Sequence, residues 1–262
     1  MTALTEKSNR VAAAIKLQRP AGRRHAARFL AEGPNLVEAA LRRGLVEDVF
    51  ATESALDRFA DLLGAVEVHP VTDRAAKALS DTVTPVGLVA VCRMPEVSLA
   101  EVLSAPRLVA VAVDTADPGN AGTLIRLADA MGADALVLAG DGVDPYNAKC
   151  LRASAGSIFS VPVVEAPDTL ELVRDLVYAG LVVMATTLDG ETSLDDLKLD
   201  VPTAWLFGSE AHGLPTTVAE AADVRVTIPM AGGAESLNVA AAAAICLYQS
   251  AAALRGSDGS SA

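Results

Sequence analysis

The stretch Ile228 to Tyr248, IPMAGGAESLNVAAAAAICLY, decides how the rest of the chain is read. A branched apolar run ends at Pro229, the pair Gly232 and Gly233 breaks it, and Glu235, Ser236 and Asn238 lead into a small-sided, alanine-rich run. The spacing predicts a strand, a tight loop and the mouth of a helix. Glycine lets backbone approach a ligand, and the first helical turn leaves N–H groups unpaired, so such a mouth can hold a polar group or an anion. Taken alone, a plain capped helix is the simpler reading, with Ser236 or Asn238 as the cap.

Around this stretch, 262 residues with 52% apolar content suffice for one large domain or two ordinary ones with a real core. Five Phe, three Tyr and one Trp leave burial to Val, Leu, Ile and Ala, and argue against a sheet of exposed base-stacking rings. The formal charge of -12 argues against a protein that coats nucleic acid non-specifically. The charge is unevenly spread: from Met1 to Arg28 the basic residues are Lys7, Arg10, Lys16, Arg19, Arg23, Arg24 and Arg28, against Glu6 alone. A solvated, partly disordered arm and a phosphate-binding arm fit this asymmetry equally well. Cys92, Cys150 and Cys246 are scattered and lack metal-ligand spacing, so they are expected as buried or free thiols in a reducing cytoplasm, with no metal. The polar, basic N-terminus lacks the apolar core of a secretory leader. The alanine-rich run is interrupted by Tyr248, Gln249 and Ser250 and is expected to fall short of the roughly 20 strongly apolar residues of a membrane span.

Along the chain, FLAEGPNLVEAALRRG reads as a turn at Gly33-Pro34 followed by a helix with Leu36, Val37, Ala40 and Leu41 on one face. LVEDVFA, VEVHP and GLVAVC read as strands, with helices over 54–63 and 72–79 between them. This makes a small α/β unit over residues 1–94. Residues 95–106 read as a linker, and a second domain over 107–262 starts with LVAVAVD, apolar enough to be buried on both faces of a parallel sheet. Helix 121–131, strand 135–138, strand 160–164, helix 169–179, strand 181–186, strand 204–207, helix 217–222 and strand 224–228 follow, an alternation that predicts a parallel α/β sheet. The tail from Arg255 is expected to be disordered.

Ligands gather beyond the carboxyl ends of parallel strands. Three glycine-bearing loops fall there: TADPGNAG, GSEAHG and MAGGAESLN. The first loop, with Asp141 after the next strand, invites a dinucleotide reading, but Gly119 and Gly122 do not make the G-x-G-x-x-G spacing. Asn120 would, on the ordinary reading, cap the helix. Arg126 lies one turn beyond Gly122 among Leu124, Ile125, Leu127 and Ala128, where a guanidinium needs an acidic or phosphate partner.

DPGNAGTLIRLADAMGADALVLAG, FGSEAHGLP and IPMAGGAESLNVAAAAAICLYQ together resemble the three ordered motifs of the SpoU-type (TrmH-like) RNA 2'-O-ribose methyltransferases of the SPOUT class. The resemblance covers 107–254, and FLAEGPNLVEAAL with SDTVTPVGLVAVC resembles the small ribosomal-protein-like RNA-binding domain that many of these enzymes carry. It implies a SPOUT domain with a C-terminal trefoil knot, S-adenosylmethionine bent in that knot, a homodimer, no metal, and a structured RNA substrate, ribosomal ahead of transfer RNA. By position it implies Thr186, Thr187, Leu188, Phe207, Gly208, Glu210, Gly213, Ile228, Pro229, Met230, Ser236, Leu237, Asn238 and Ala240 as cofactor contacts. Arg126, Asn120, Glu210, Ser236 and Asn238 match positions tied to activity. Arginine ordinarily ionises above about 12 and is a poor proton acceptor, so Arg126 is expected to position the hydroxyl or its phosphate rather than act as a base. Glu210 would orient Arg126 or the RNA, its ordinary alternative being a surface loop acid.

In DPYNAKCLRASAGSIFSVPV the polar Asn147, Lys149, Arg152, Ser154 and Ser157 fit phosphate contact and ordinary capping equally well. His212 reads as a loop residue, and Leu127 stands where the family commonly has threonine. Two competing readings remain: a non-catalytic RNA-binding or ribosome-assembly factor that keeps the fold, and a nucleotide-linked oxidoreductase.

Overall fold

The computed structural model describes residues 3–64 and 66–259. Its contacts group Met1–Glu96 with Asp144–Phe159 in one unit, and Val97–Val143 with Ser160–Ala262 in another.

In the first unit the basic segment is folded. Helices α1 (Asn9–Ile15) and α2 (Pro20–Ala26) flank a 3-10 turn at Lys16–Gln18. Val11, Ala14 and Leu17 enter a core with Leu30, Phe50, Val71, Ala75, Leu79, Val89 and Val91. Their i, i+3, i+6 spacing gives the segment an apolar face, which the count of its cations conceals, so the disordered arm is corrected. The expectation for Met1 and Thr2 lies outside the described residues. There follow β1 (Arg28–Glu32), α3 (Pro34–Arg42), β2 (Val46–Ala51), α4 (Glu53–Arg58), α5 (Ala60–Leu63), β3 (Val68–Pro70), α6 (Asp73–Leu79) and β4 (Leu88–Arg93). The sheet order is β1-β4-β2-β3, antiparallel except for β2 with β3. The single helix expected over 54–63 is broken at Phe59, which leaves helical geometry with φ -117° and ψ 28°.

The second unit begins with α7 (Leu99–Val102), the short helical pattern within the expected connector, closed by reciprocal hydrogen bonds of Ser98 and Glu101. Then come β5 (Leu108–Val113), α8 (Pro118–Met131) and β6 (Ala135–Ala139). The chain next returns to the first unit for α9 (Ala148–Ser154) and a 3-10 turn at Ser157–Phe159. Asn147 Oδ1 caps α9, accepting from the N–H groups of Lys149 at 2.9 Å and Cys150 at 3.2 Å, and Arg152 pairs with Asp81. Phe29 of β1 stands 4.7 Å from the Tyr146 ring and 5.9 Å from that of Phe159. Capping thus accounts for Asn147, and an ion pair for Arg152.

Back in the second unit lie β7 (Val163–Ala166), α10 (Thr169–Tyr178), β8 (Val182–Thr186), β9 (Thr192–Ser193), β10 (Thr203–Phe207), α11 (Thr216–Ala221), β11 (Val224–Thr227) and α12 (Val239–Gly259). The seven strands run in the order β7-β6-β5-β10-β8-β11-β9, every pairing parallel. This is the expected α/β parallel sheet. β7 starts later than the strand expected over 160–164, because the 3-10 turn occupies the preceding residues. Every residue of β5, β6 and β10 is buried, which is why these strands read as unbroken apolar runs.

Helix α12 runs through Tyr248, Gln249 and Ser250 and past Arg255. The tail expected to be disordered is therefore helical to Gly259, and its last three residues lie outside the described ones. By length and apolarity alone, Val239–Ser257 meets the test for a membrane span, contrary to the sequence expectation. Its packing assigns it to the core: Ala243, Cys246 and Leu247 are fully buried, and the indole N–H of Trp205 donates to Ser250 Oγ at 2.8 Å in the interior.

Candidate active site

At the carboxyl ends of β8, β10 and β11 the second unit opens into a cavity of about 520 Å³, completed by the loop that leads into α12. Eleven of the fourteen expected contacts line it: Thr186, Thr187, Leu188, Phe207, Gly208, Glu210, Gly213, Ile228, Met230, Ser236 and Leu237. Pro229, Asn238 and Ala240 do not. Pro229 is exposed beyond β11, and Ala240 is buried in the first turn of α12. The lining also includes Asp189, Ser209, His212, Thr216 and Arg225, among others that the motif positions did not single out. Their signal was adjacency: most extend the same three loops by a residue or two.

Close backbone packing shapes this wall. A Cβ on Gly208 would lie 2.2 Å from the carbonyl carbon of Gly213, and one on Gly190 would lie 2.6 Å from that of Val226, so neither site admits a side chain without backbone movement. Gly213 takes φ +68° and donates its N–H to Ser209 O at 2.8 Å, folding 209–213 into a tight turn that presents Glu210.

Asn238, exposed and outside the cavity lining, joins the three motif segments. Its Oδ1 accepts from the N–H groups of Ala240 at 2.9 Å and Ala241 at 3.3 Å, so it, and not Ser236, supplies the cap of α12. Its Nδ2 donates to Glu210 Oε1 and, at 3.3 Å, to Asn120 Oδ1. A flipped amide would place oxygen against both acceptors and NH2 against the helix donors, so the observed orientation is the consistent one. Asn120 does not cap α8; Asp117 Oδ1 does, accepting from the Asn120 N–H at 2.9 Å.

The pattern that defines the SpoU rRNA Methylase family matches residues 107–248, the stretch that carries every one of these groups. The chain belongs to the SpoU rRNA methylase family. Residues 8–90 match a second pattern, the MRM3-like substrate binding domain. Among SpoU relatives, the 23S rRNA (guanosine(2553)-2'-O)-methyltransferase RlmP of Bacillus subtilis is 37% identical over 221 residues, which cover 84% of this chain and 87% of RlmP. A solved RNA 2'-O ribose methyltransferase superposes with a TM-score of 0.83 at 35% identity, covering 97% of this chain and 99% of that one. The SpoU methyltransferase AviRb from Streptomyces viridochromogenes, in complex with AdoMet, does so with 0.83 at 30% identity, covering 94% and 98%.

The SpoU cavity has the chemistry to hold a cationic, partly apolar ligand. Leu188, Ile228, Met230 and Leu237 supply apolar surface, while Asp189 and Glu210 supply negative charge. Arg225, the counter-example in the lining, is already paired with Glu191. Thr187 Oγ1 is buried without a hydrogen-bond partner among the described residues, a polar atom in the wall that a ligand can satisfy. Arg126 is exposed on α8, not buried among its apolar neighbours, and has no ion-pair partner among the described residues. Water solvates the guanidinium there, so the partner its sequence context demanded is not required by the fold. Asp141 gives its N–H to Asp114 Oδ1 at 3.0 Å, at the end of β5. Among the described residues no group of three or more His, Cys, Asp or Glu could hold a metal ion.

Proposed function

We propose that this SpoU-family chain transfers a methyl group from S-adenosylmethionine to a ribose 2'-hydroxyl of structured RNA, with ribosomal RNA as the substrate. The observation that carries the reading is that Asn238, beside a cavity lined by the second and third motif loops, hydrogen-bonds both Glu210 of the second motif and Asn120 of the first, which lies outside the lining. The names of the relatives, RlmP foremost, favour ribosomal RNA over transfer RNA.

When bound, S-adenosylmethionine supplies a methyl group on a positively charged sulfur. The chain's own part is to bind, orient and stabilise charge. Glu210 and Asp189 give the cavity the negative charge that suits a cation. Asn238 fixes Glu210, and by occupying Asn120 Oδ1 leaves the Asn120 NH2 available as a donor. Arg126, exposed and without an ion-pair partner among the described residues, can take a phosphate or steady the hydroxyl as its proton leaves to water or phosphate. Ser236 and Leu237 form the wall where the loop meets α12.

Two further features belong to the same reading. A trefoil knot, with the C-terminal segment drawn through a loop, is supported by the placement of β10 between β5 and β8 and by the backbone contact of Gly190 with Val226 and Thr227. A homodimer is supported by the exposed apolar side chains Met230, Leu237, Ile245 and Tyr248 along α12 and its leading loop. The protein is assigned to the cytoplasm, where its RNA substrate is made. Mapping of ribose methylation in RNA from a strain lacking the gene tests the function: one ribosomal 2'-O-methyl mark should vanish. An unchanged map would favour a non-catalytic RNA-binding role, and a mark lost from transfer RNA would move the substrate.

A further inference from the structure

The two units divide the chain's charge unequally. The first holds 15 Lys and Arg against 13 Asp and Glu, net +2; the second holds 6 against 20, net -14. Seven of the fifteen cations of the first unit are paired with acids: Arg10 with Asp48, Arg23 with Asp144, Arg28 and Arg93 with Glu47, Arg42 with Glu38, Arg74 with Glu6, and Arg152 with Asp81. Lys16, Arg19 and Arg24 differ. All three are exposed, none has an acidic partner among the described residues, and no acid occurs between Glu6 and Glu32 in the sequence.

These three cations project from a stiff corner. Gly22 of α2 passes so close to the 3-10 turn that a Cβ there would stand 2.0 Å from Lys16 O. Arg23, 4% exposed, donates from Nη1 to Leu17 O and Gln18 O, each at 3.0 Å, and from Nε and Nη2 to Asp144 Oδ2 at 2.8 and 2.5 Å. Gln18 Nε2 adds a bond to Ala78 O at 2.8 Å. One buried guanidinium thus holds the corner shut while three free cations face water. A polyanion binding there needs little ordering of the backbone and breaks no existing ion pair.

We propose that the corner bearing Lys16, Arg19 and Arg24 docks the phosphodiester backbone of RNA, holding the substrate without reading its bases. The inference rests on the RNA-methylation reading above and names the surface that grips the substrate. Base readout by stacking is not what the corner offers: the rings nearest in sequence, Phe29 with its partners Tyr146 and Phe159, pack against one another instead. Phosphate contact therefore remains as the recognition chemistry, and it is sequence-independent and salt-dependent.

The test compares the full-length protein with Lys16→Gln/Arg19→Gln/Arg24→Gln, using two RNA hairpins of equal length and unrelated sequence as probes. A control, Arg43→Gln/Arg58→Gln/Arg255→Gln, makes the same change in net charge elsewhere. The corner variant should bind both hairpins about tenfold or more weakly, and its plot of log K against log salt should be shallower by about 2 to 3. Its melting-temperature rise with S-adenosylmethionine should match that of the parent, which separates lost docking from lost folding. Unchanged affinity and slope, an equal loss in the control, or a loss confined to one hairpin would each overturn the proposal. If the parent itself bound neither hairpin, the RNA-substrate reading would fall with it.

Discussion

Asn238 uses both ends of its amide: two helix N–H groups on Oδ1, and Glu210 and Asn120 on Nδ2. These duties separate by substitution. Serine caps helices about as well as asparagine, so Asn238→Ser should keep the denaturation midpoint near that of the parent, within about 0.5 kcal/mol, while losing the bridge. Methyl transfer should fall about tenfold or more, since a misplaced group at a reacting centre costs that much. Equal activity would show the bridge to be incidental. At Gly208 the expectation is steric: in Gly208→Ala the new Cβ must displace the Gly213 backbone, so S-adenosylmethionine affinity measured by calorimetry should drop, and parental affinity would contradict the cavity geometry. The sequence narrowed the cap to Ser236 or Asn238, because a short polar residue before an apolar run has a local cause. It did not make legible the reach of Asn238 to residues 28 and 118 positions away, which only the folded sheet brings together. Arg126 shows the converse: its apolar sequence neighbours suggested burial, yet the side chain points from α8 to water.

Among the elements, α12 ties the last motif to the sheet through the Trp205–Ser250 hydrogen bond. Ser250→Ala would leave the indole N–H buried and unpartnered, a loss of about 1–3 kcal/mol that should appear as a lower denaturation midpoint. A variant as stable as the parent would mean that the indole finds another acceptor. Buried thiols add a pH dependence. Burial pushes Cys246 of α12 and Cys92 of β4 from 9.0 up to about 12. The unfolded thiols ionise first, so the contribution is intact below pH 9 and is lost as pH rises towards about 12. Denaturation midpoints should fall between pH 8.5 and about 10.5, and Cys246→Ala should flatten that fall; a parent whose stability rises over this range would contradict the burial. At this scale the alternation of strands and helices was readable because each type has its own period. The basic α1–α2 segment was not, because only three of its apolar side chains, Val11, Ala14 and Leu17, are buried, and neither was the break at Phe59.

In the whole molecule, the acidic total and an RNA substrate are reconciled by where the charges lie: the excess acid belongs to the unit with the cavity, and the first unit is slightly basic. Composition alone could not separate the two, since a net charge carries no position. The excursion of Asp144–Phe159 into the first unit was likewise hidden, because an amphipathic segment states that it will be covered but not by what. The most direct test of the central claim is methyl transfer by the purified protein from labelled S-adenosylmethionine to ribosomal RNA, followed by alkaline digestion. A methylated 2'-oxygen cannot attack its neighbouring phosphate, so the label should remain in an alkali-resistant dinucleotide, and Arg126→Ala should lower its yield. Label released wholly in mononucleotides would place the methyl group on a base, and no incorporation at all would remove the claim of catalysis.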